Sequence, residues 1–329
     1  PCLCTIYRQA WSQRFELEIV MGMLVEGQWQ NQDVRRTNAQ GDFVRNESPY
    51  RNFIALDNNQ FPVEKDRYHL YVNAGCPWAY RTILYRAIKN LEPYISISYT
   101  QAAMGSQGWT FGDLVDPLLG AKHIHDIYTS ADKQFTGRCT VPVLWDKTTG
   151  TIVNNESADI IRMLDSVFDS LEGVSRVRYY TPKHADEIDA LNKQIYTCVN
   201  NGVYRCGFSQ SQDAYSQAFD LLFATLDELD ARLENQRYLC GANITEADWR
   251  LFATLIRFDI AYFNQFKCNQ RPISDYRNLW PYTRDLYQQP GVAETVDIDA
   301  IKGIYFGSRP PHIIPKGPMI DFTASHNRR

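Results

Sequence analysis

Alternating apolar and polar residues predict strands in the first half of the chain. In RYHLYVNAG, Leu70 and Val72 fall on one face of an extended segment, a pattern of period two that should end at the following asparagine. The segment YISISY (94–99) alternates in the same way. The segments TVPVLWD (140–146) and TIVN (151–154) predict a hairpin.

Helical spacing replaces this alternation after Pro77, which suits a first helical turn because its missing N–H would have no partner there. Residues 156–168, ESADIIRMLDSVF, predict a second amphipathic helix. The order βαβ and then ββα predicts a small mixed sheet with a right-handed crossover, as in thioredoxin-like folds. The apolar positions of the first helix are Ile83, Leu84, Ala87, Ile88 and Leu91.

The second half of the chain is helical throughout, which makes the fold class α+β: a thioredoxin-like N-terminal domain followed by an all-α domain. Its third long helix opens with ITEAD, where Thr245 and Asp248 can form a capping box. The apolar positions at helical spacing are Ile188, Leu191 and Ile195, then Leu222, Leu226, Leu229 and Leu233, then Leu251, Leu255 and Phe258.

Changes in composition divide the chain into four parts. Residues 1–66 are an N-terminal extension followed by a polar, turn-rich arm, with regular structure expected from Tyr68 onward. The thioredoxin-like domain covers 67–175 and contains a long insert at 101–137. Loops of this length more often have a function than not. The helical domain covers 184–295. The remaining residues form a proline- and glycine-rich strap, 296–329, whose segment IYFGSRPPHIIPKGPMIDF should not be helical.

Composition narrows the possible partners and location. The 329 residues are 44% hydrophobic and carry a formal net charge of −4, with no basic block that would bind nucleic acid or an anionic membrane. No apolar run approaches the ~18 residues that span a bilayer. The eight cysteines are scattered without the spacing of a secreted disulfide scaffold. We expect a cytoplasmic protein with a small-molecule or protein partner.

Cys76 directly precedes Pro77 at the predicted junction of strand and helix. Free cysteine has a pKa near ~8.5, and a helix N-terminus can lower it to roughly 3.5–7.5, so we expect a thiolate at neutral pH. The alternative is a small buried cysteine that only packs against the sheet. Because Ala79 occupies the fourth place of a C-x-x-C motif, an external thiol such as glutathione must resolve a mixed disulfide on Cys76.

Two further features fit a glutathione site on this fold. A cis bond at Val141–Pro142 would expose the Val141 backbone to an extended peptide ligand, although an ordinary trans proline is the alternative. Glu156 and Ser157 open the next helix and could bind the ammonium and carboxylate groups of a peptide. Simple helix capping explains this pair equally well.

Several motifs together resemble the glutathionyl-hydroquinone reductases, the xi class of glutathione transferases: CPWAYRT, GWTF, GRCTVPVLWDKTTGTIVNNESADIIRM, VNNGVYRCGF, TEADWRLFATLIRFD and FKCNQRPISDY. The resemblance covers Met21 to Gly317. It implies glutathione-dependent reduction of S-glutathionyl-hydroquinones, with glutathione as co-substrate and no metal ion or nicotinamide, in a homodimer. The residues it implies are Cys76 as the catalytic residue, Trp109, Arg138, Val141, Glu156 and Ser157 at glutathione, and Tyr204 and Tyr305 at the aromatic substrate.

The chain departs from the family pattern at three positions. Ile304 and Arg309 replace two histidines that often flank Tyr305, which leaves open which quinone is accepted. Cys139 stands where valine is usual and is expected to be a neutral replacement. Without the resemblance, aromatic packing would be the expectation for Tyr204 and Tyr305, since the chain has 20 tyrosines.

Three rival interpretations remain open at this point. An omega-like thioltransferase or dehydroascorbate reductase would use the same cysteine without the tyrosine pair. A non-catalytic binding module would not need Cys76. Metal binding by His123 and His125, or by Cys2 and Cys4, lacks further ligands at suitable spacing, so these are expected to be solvated loop residues.

Overall fold

The chain has a sheet-containing half followed by a helical half. The structure is a computed structural model that describes residues 22–31, 36–308 and 311–328. The expected extension at residues 1–20 lies outside the described residues, as do Cys2 and Cys4.

Two short antiparallel ladders precede the central sheet. They are formed by β1 (Met23–Val25) with β2 (Gln28–Gln30) and by β3 (Arg36–Thr37) with β4 (Phe43–Val44). The prediction that regular structure begins at Tyr68 is therefore wrong. Strands of two or three residues are too short to produce a detectable period-two pattern.

The central sheet has four strands in the order β6–β5–β7–β8. β5 pairs in parallel with β6 and antiparallel with β7, which pairs antiparallel with β8. β5 is buried along its whole length because it lies inside the sheet. This arrangement confirms the predicted mixed sheet and hairpin. The strands are β5 (Tyr68–Val72), β6 (Ile95–Tyr99), β7 (Val143–Asp146) and β8 (Thr151–Asn154).

Three helices accompany this sheet: α1 (Pro77–Ile88), α2 (Ile124–Ala131) and α3 (Ser157–Ser166). α1 and α3 confirm the two predicted helices, and they pack against each other. Cys76 is the N-cap residue of α1 and has extended backbone angles, as the proline at the next position favours. α2 lies inside the insert that showed no periodicity, since eight residues give only about two turns.

The helical half confirms the prediction of helices from residue 184 onward. Thr245 and Asp248 form the predicted capping box at the start of the helix Glu246–Arg257. No helix of the described residues is both long and apolar enough to cross a membrane. The α-helices are α4 (Ala185–Ile195), α5 (Gly202–Phe208), α6 (Gln212–Asn235), α7 (Glu246–Arg257), α8 (Phe263–Gln265) and α9 (Leu279–Tyr287).

The start of the C-terminal strap is helical, which the sequence analysis did not predict. α10 (Ile298–Lys302) continues into a π-helical turn at Gly303–Gly307. Asp297 caps this helix by accepting a hydrogen bond from the N–H of Ala300 (2.8 Å). The prediction that the segment beginning IYFG is not helical is wrong at its first residues, because the prolines that prevent a helix come only after Ser308.

A buried arginine joins the two halves at the turn that precedes α1. Arg257, at the end of α7, is 1% exposed, and its guanidinium donates to the carbonyl oxygens of Gly75 (2.9 Å) and Ala74 (3.1 Å). The C-terminal helix reaches the same turn. A Cβ on Gly75 would lie 2.3 Å from the carbonyl oxygen of Ala300, so only glycine fits there.

We predict that Arg257→Met lowers the free energy of unfolding by roughly 2–5 kcal/mol, because the carbonyls of Ala74 and Gly75 lose their donors inside the protein. Urea denaturation measures this change. The control is Arg277→Met, which removes an exposed ion pair with Glu234 and should cost no more than about 0.5 kcal/mol. Equal losses in both variants would contradict the role of Arg257.

Candidate active site

A cleft of about 760 Å³ lies where the two halves meet. Its lining includes residues of the arm, the turn before α1, the insert, α5 and the C-terminal π-helical turn. All eight residues assigned by the resemblance line this one cleft: Cys76, Trp109, Arg138, Val141, Glu156, Ser157, Tyr204 and Tyr305.

The backbone around Cys76 is fixed by Asn73, the residue directly after β5. The Asn73 side-chain oxygen accepts hydrogen bonds from the N–H groups of Gly75 (2.9 Å) and Cys76 (3.1 Å). Its amide nitrogen donates to the carbonyl oxygen of Gln101 (2.8 Å) and to Thr100 Oγ1 (3.0 Å). The sequence analysis identified Asn73 only as the end of a strand. The Asn73 side chain therefore joins the turn before α1 to the start of the insert.

The Cys76 thiol is buried, with 6% of the residue exposed. Its sulfur lies 3.9 Å from the carbonyl oxygen of Val141. Burial raises the pKa of Cys76, while the N–H groups of Ala79 and Trp78 and the guanidinium of Arg257 favour the thiolate. Burial therefore opposes the thiolate that the sequence analysis predicts at neutral pH, and that thiolate stays a prediction. Helix position is visible in a sequence, but the desolvation that opposes it is not.

Glu156 both caps α3 and lines the cleft, so capping does not exclude a binding role. Its carboxylate accepts hydrogen bonds from the N–H of Ala158 (3.1 Å) and from Ser48 Oγ of the arm (3.1 Å). Ser157 Oγ accepts a hydrogen bond from the buried guanidinium of Arg81 (3.3 Å). The charge of Arg81 therefore lies next to the first residue of α3.

The Tyr128 hydroxyl contacts the loop that carries Arg138 and Val141. Tyr128, in α2, donates to the carbonyl oxygen of Thr140 (2.9 Å) and accepts from the amide of Asn155 (2.9 Å). The bond between Val141 and Pro142 is cis, as the sequence analysis predicted.

Trp109 is a half-buried residue of the insert that lines the cleft. Its carbonyl oxygen accepts a hydrogen bond from the N–H of Ile124 (2.9 Å), which ties it to the start of α2. Cys139 also lines the cleft, and burial raises the pKa of its thiol. That Cys139 is a neutral replacement for valine stays a prediction.

Three tyrosine hydroxyls meet on the helical side of the cleft. The hydroxyl of Tyr305 lies 2.9 Å from that of Tyr204 and 2.8 Å from that of Tyr262. Burial raises the pKa of all three phenols, so they are hydrogen-bond donors at neutral pH. The sequence analysis missed Tyr262, whose partner lies 43 residues away in the chain. Its one available clue is its position between the motifs TEADWRLFATLIRFD and FKCNQRPISDY.

The two residues that depart from the family pattern can be placed only in part. Ile304 lines the cleft beside Tyr305, and its Cγ2 lies against Gly75. Arg309 lies outside the described residues.

His123 and His125 have a nearby carboxylate that the sequence analysis did not identify. Their ring nitrogens and a carboxylate oxygen of Asp126 lie within 4.8 Å of one another. The carboxylate caps α2 by accepting from the N–H of His123 (2.9 Å), and it lies 3.1 Å from Nδ1 of His125. His125 also stacks on Trp29, so the expectation of solvated loop residues is wrong. Helix capping and histidine–carboxylate contacts explain the cluster.

Comparison with known proteins identifies both halves. The family model for the glutathione S-transferase N-terminal domain matches residues 75–167, and that for the C-terminal domain matches residues 212–285. The chain is 45% identical over 324 residues to glutathionyl-hydroquinone reductase YqjG of Escherichia coli K12, covering 94% of this chain and 98% of the relative. It is also 45% identical over 306 residues to glutathionyl-hydroquinone reductase PcpF of Sphingobium chlorophenolicum, covering 91% and 96%.

Solved structures agree with this relationship. The glutathione-bound structure of Escherichia coli YqjG matches with a TM-score of 0.85 at 44% identity, covering 93% of this chain and 99% of that one. The xi glutathione S-transferase of Phanerochaete chrysosporium matches with a TM-score of 0.83 at 44% identity, covering 86% and 95%. With two family models, long alignments and the same fold in agreement, the chain belongs to the glutathionyl-hydroquinone reductases, the xi class of glutathione transferases.

Proposed function

We propose that this protein uses glutathione to reduce S-glutathionyl-hydroquinones, releasing the hydroquinone and oxidised glutathione. The observation that carries the proposal is the joint presence, in one cleft, of a cysteine at a helix N-terminus and a pair of hydrogen-bonded tyrosines. The two relatives named above are glutathionyl-hydroquinone reductases. A thiol and phenol donors are the two functions that cleavage of an aryl thioether requires.

The first step forms a mixed disulfide on Cys76. The substrate reacts as its keto tautomer, in which the ring carbon bonded to sulfur lies beside a carbonyl group. The Cys76 thiolate attacks the glutathione sulfur, so that an S–S bond forms and the bond from sulfur to the ring carbon breaks. The electron pair of the broken bond moves onto the carbonyl oxygen, which leaves as a hydroquinone anion and takes up one proton.

The second step uses an external thiol. A glutathione thiolate attacks the mixed disulfide, releasing oxidised glutathione and returning Cys76 to the thiolate. Ala79 occupies the place of a resolving cysteine, so the chain offers none in this motif. Per turnover, one glutathionyl-hydroquinone and one glutathione give one hydroquinone and one oxidised glutathione, without a metal ion or nicotinamide.

We assign the glutathione part of the substrate to the sheet side of the cleft. The backbone of Val141 would pair with the extended tripeptide, while Trp109 and Arg138 line the cleft beside it. The start of α3 would take up the glutamyl end, since the Ser157 hydroxyl and the positive end of the helix favour a carboxylate and Glu156 accepts an ammonium group.

We assign the hydroquinone ring to the tyrosine side of the cleft. Phenols with raised pKa values donate hydrogen bonds to a developing oxygen anion and can deliver a proton to it. A homodimer and a cytoplasmic location remain predictions that the single chain does not test.

Cys76→Ser is predicted to abolish turnover while leaving the fold intact, because a serine hydroxyl does not ionise enough to attack sulfur. The assay is release of hydroquinone from its glutathione thioether, with circular dichroism to confirm folding. Cys198→Ser is the matched control, because Cys198 lies outside the residues lining the cleft, and its activity should stay within a few fold. Full turnover by a folded Cys76→Ser protein would refute the mechanism.

Alkylation of Cys76 by iodoacetamide should keep accelerating with pH through 8.5 in the absence of glutathione. Burial raises the thiol pKa above that of a free cysteine, so the thiolate fraction grows about tenfold per pH unit below that pKa. Mass spectrometry of the peptide containing Cys76 measures the rate at each pH. A plateau reached below pH 7 would show instead that the helix N-terminus outweighs burial.

Tyr204→Phe and Tyr305→Phe should each lower kcat on a glutathionyl-hydroquinone by roughly 10- to 1000-fold, since each removes a donor that acts in the transition state. Neither change should slow reduction of a small glutathione mixed disulfide, whose thiolate leaves without an acid. Tyr215→Phe is the control, since its hydroxyl bonds to the carbonyl of Lys267 outside the cleft. Equal losses on both substrates would favour packing tyrosines and the omega-like thioltransferase alternative.

A further inference from the structure

An arginine of the N-terminal arm lies in the cleft on a support of aromatic rings. The guanidinium carbon of Arg45 lies 4.7 Å from the ring centre of Trp78, 4.9 Å from that of Tyr204 and 5.4 Å from that of Phe43. Its Nε donates to the side-chain oxygen of Asn201 (3.0 Å). Arg45 lines the same cleft as Cys76 and the tyrosines. Neither the sequence motifs nor the resemblance assigned a role to this residue.

The charge of Arg45 is not neutralised by a neighbouring acid. Within the described ranges no carboxylate lies within ion-pair distance of it, and its two terminal nitrogens donate to no described residue. Two nearby arginines, by contrast, form ion pairs with carboxylates. Arg51, also in the arm, pairs with Asp159, and Arg205 of α5 pairs with Asp42 through two hydrogen bonds of 2.9 Å.

The aromatic support fixes the position of the guanidinium and leaves its charge directed at the cleft. Rings attract a cation through their faces but contribute no compensating negative charge. A planar guanidinium stacks on such faces, whereas an ammonium group does not, so lysine could not occupy the site in the same way. A cation held in place before the reaction stabilises a developing anion without reorganisation.

The proposed reaction moves one negative charge through this cleft. The charge begins on the Cys76 sulfur and ends on the oxygen of the departing hydroquinone. We propose that Arg45 stabilises the anionic oxygen of the leaving hydroquinone while the bond between sulfur and the ring carbon breaks. This inference rests on the proposed function and adds a cation to the hydrogen bonds of the tyrosines. It gives the arm a place in the active site.

The test compares Arg45→Met and wild-type protein on a series of glutathionyl-hydroquinones whose rings carry methoxy, hydrogen or chlorine substituents. The measured quantity is the single-turnover rate of hydroquinone release, without added glutathione, so that only the first step is followed. Electron-withdrawing substituents stabilise the leaving anion themselves and depend less on a cation. We expect Arg45→Met to lose about 10- to 100-fold on the methoxy substrate and only a few fold on the most chlorinated one.

Two further variants separate charge from structure. Arg205→Met removes the ion pair that also ties the arm to α5, but no charge from the cleft, and it should keep the wild-type dependence on substituents. Arg45→Lys should fall between wild type and Arg45→Met. Thermal unfolding of each variant verifies that it is folded.

The outcomes are distinct. A loss in Arg45→Met that is equal across the series, or no loss at all, would overturn the role of Arg45 and leave the proposed function standing. Absence of turnover by the wild-type protein on every substrate would overturn the proposed function and this inference together. A steeper dependence on substituents in Arg45→Met, with an unchanged dependence in Arg205→Met, supports the inference.

Discussion

The cleft depends on the hydrogen bonds from Arg257 to the turn before the catalytic helix. This guanidinium is 1% exposed and gives two of its donors to the carbonyl groups of Ala74 and Gly75, so a residue of the helical half determines where the thiol of the sheet half lies. Asn73 holds the same turn from the sheet side. Because buried carbonyls without donors are costly, the two halves cannot separate at this point without losing stability. Cys76 is thus positioned by both halves at once.

Burial disfavours the thiolate form of Cys76, whereas the groups around the sulfur favour it. Desolvation raises the pKa of the thiol, yet the proposed reaction needs an anion first on sulfur and then on the leaving oxygen. The same low dielectric strengthens the attraction of nearby cations to that anion. Arg257 behind the turn and Arg45 on the aromatic rings both favour the charged sulfur. Burial of the thiol and the two nearby guanidinium groups therefore act on the Cys76 pKa in opposite directions.

The fold was largely predictable because its patterns are local. The strand before Cys76 and the helix after it follow from apolar spacing and from Pro77, and the helical half follows from repeated spacing of leucines. The early ladders, α2 and α10 were missed because they are short. Local patterns indicated Cys76, Val141, Glu156 and Ser157, whereas Trp109, Arg138, Tyr204 and Tyr305 came from the family motifs alone. Tyr262 and Arg45 contact residues far away in the chain, and no local pattern marks such pairs.

A glutathionyl-hydroquinone consists of a peptide and an aromatic ring. The two sides of the cleft differ correspondingly in chemistry. The sheet side offers backbone groups and the start of α3, which suit a peptide with charged ends. The helical side offers phenol hydroxyls and ring faces, which suit an aromatic ring with oxygen substituents. The sulfur that joins the two parts of the substrate must then lie at the boundary, where Cys76 stands. Because Arg45 and Ser48 of the arm reach one side each, the arm connects the two binding surfaces. Under the proposed assignment, a substrate lacking either part would contact only one of these surfaces.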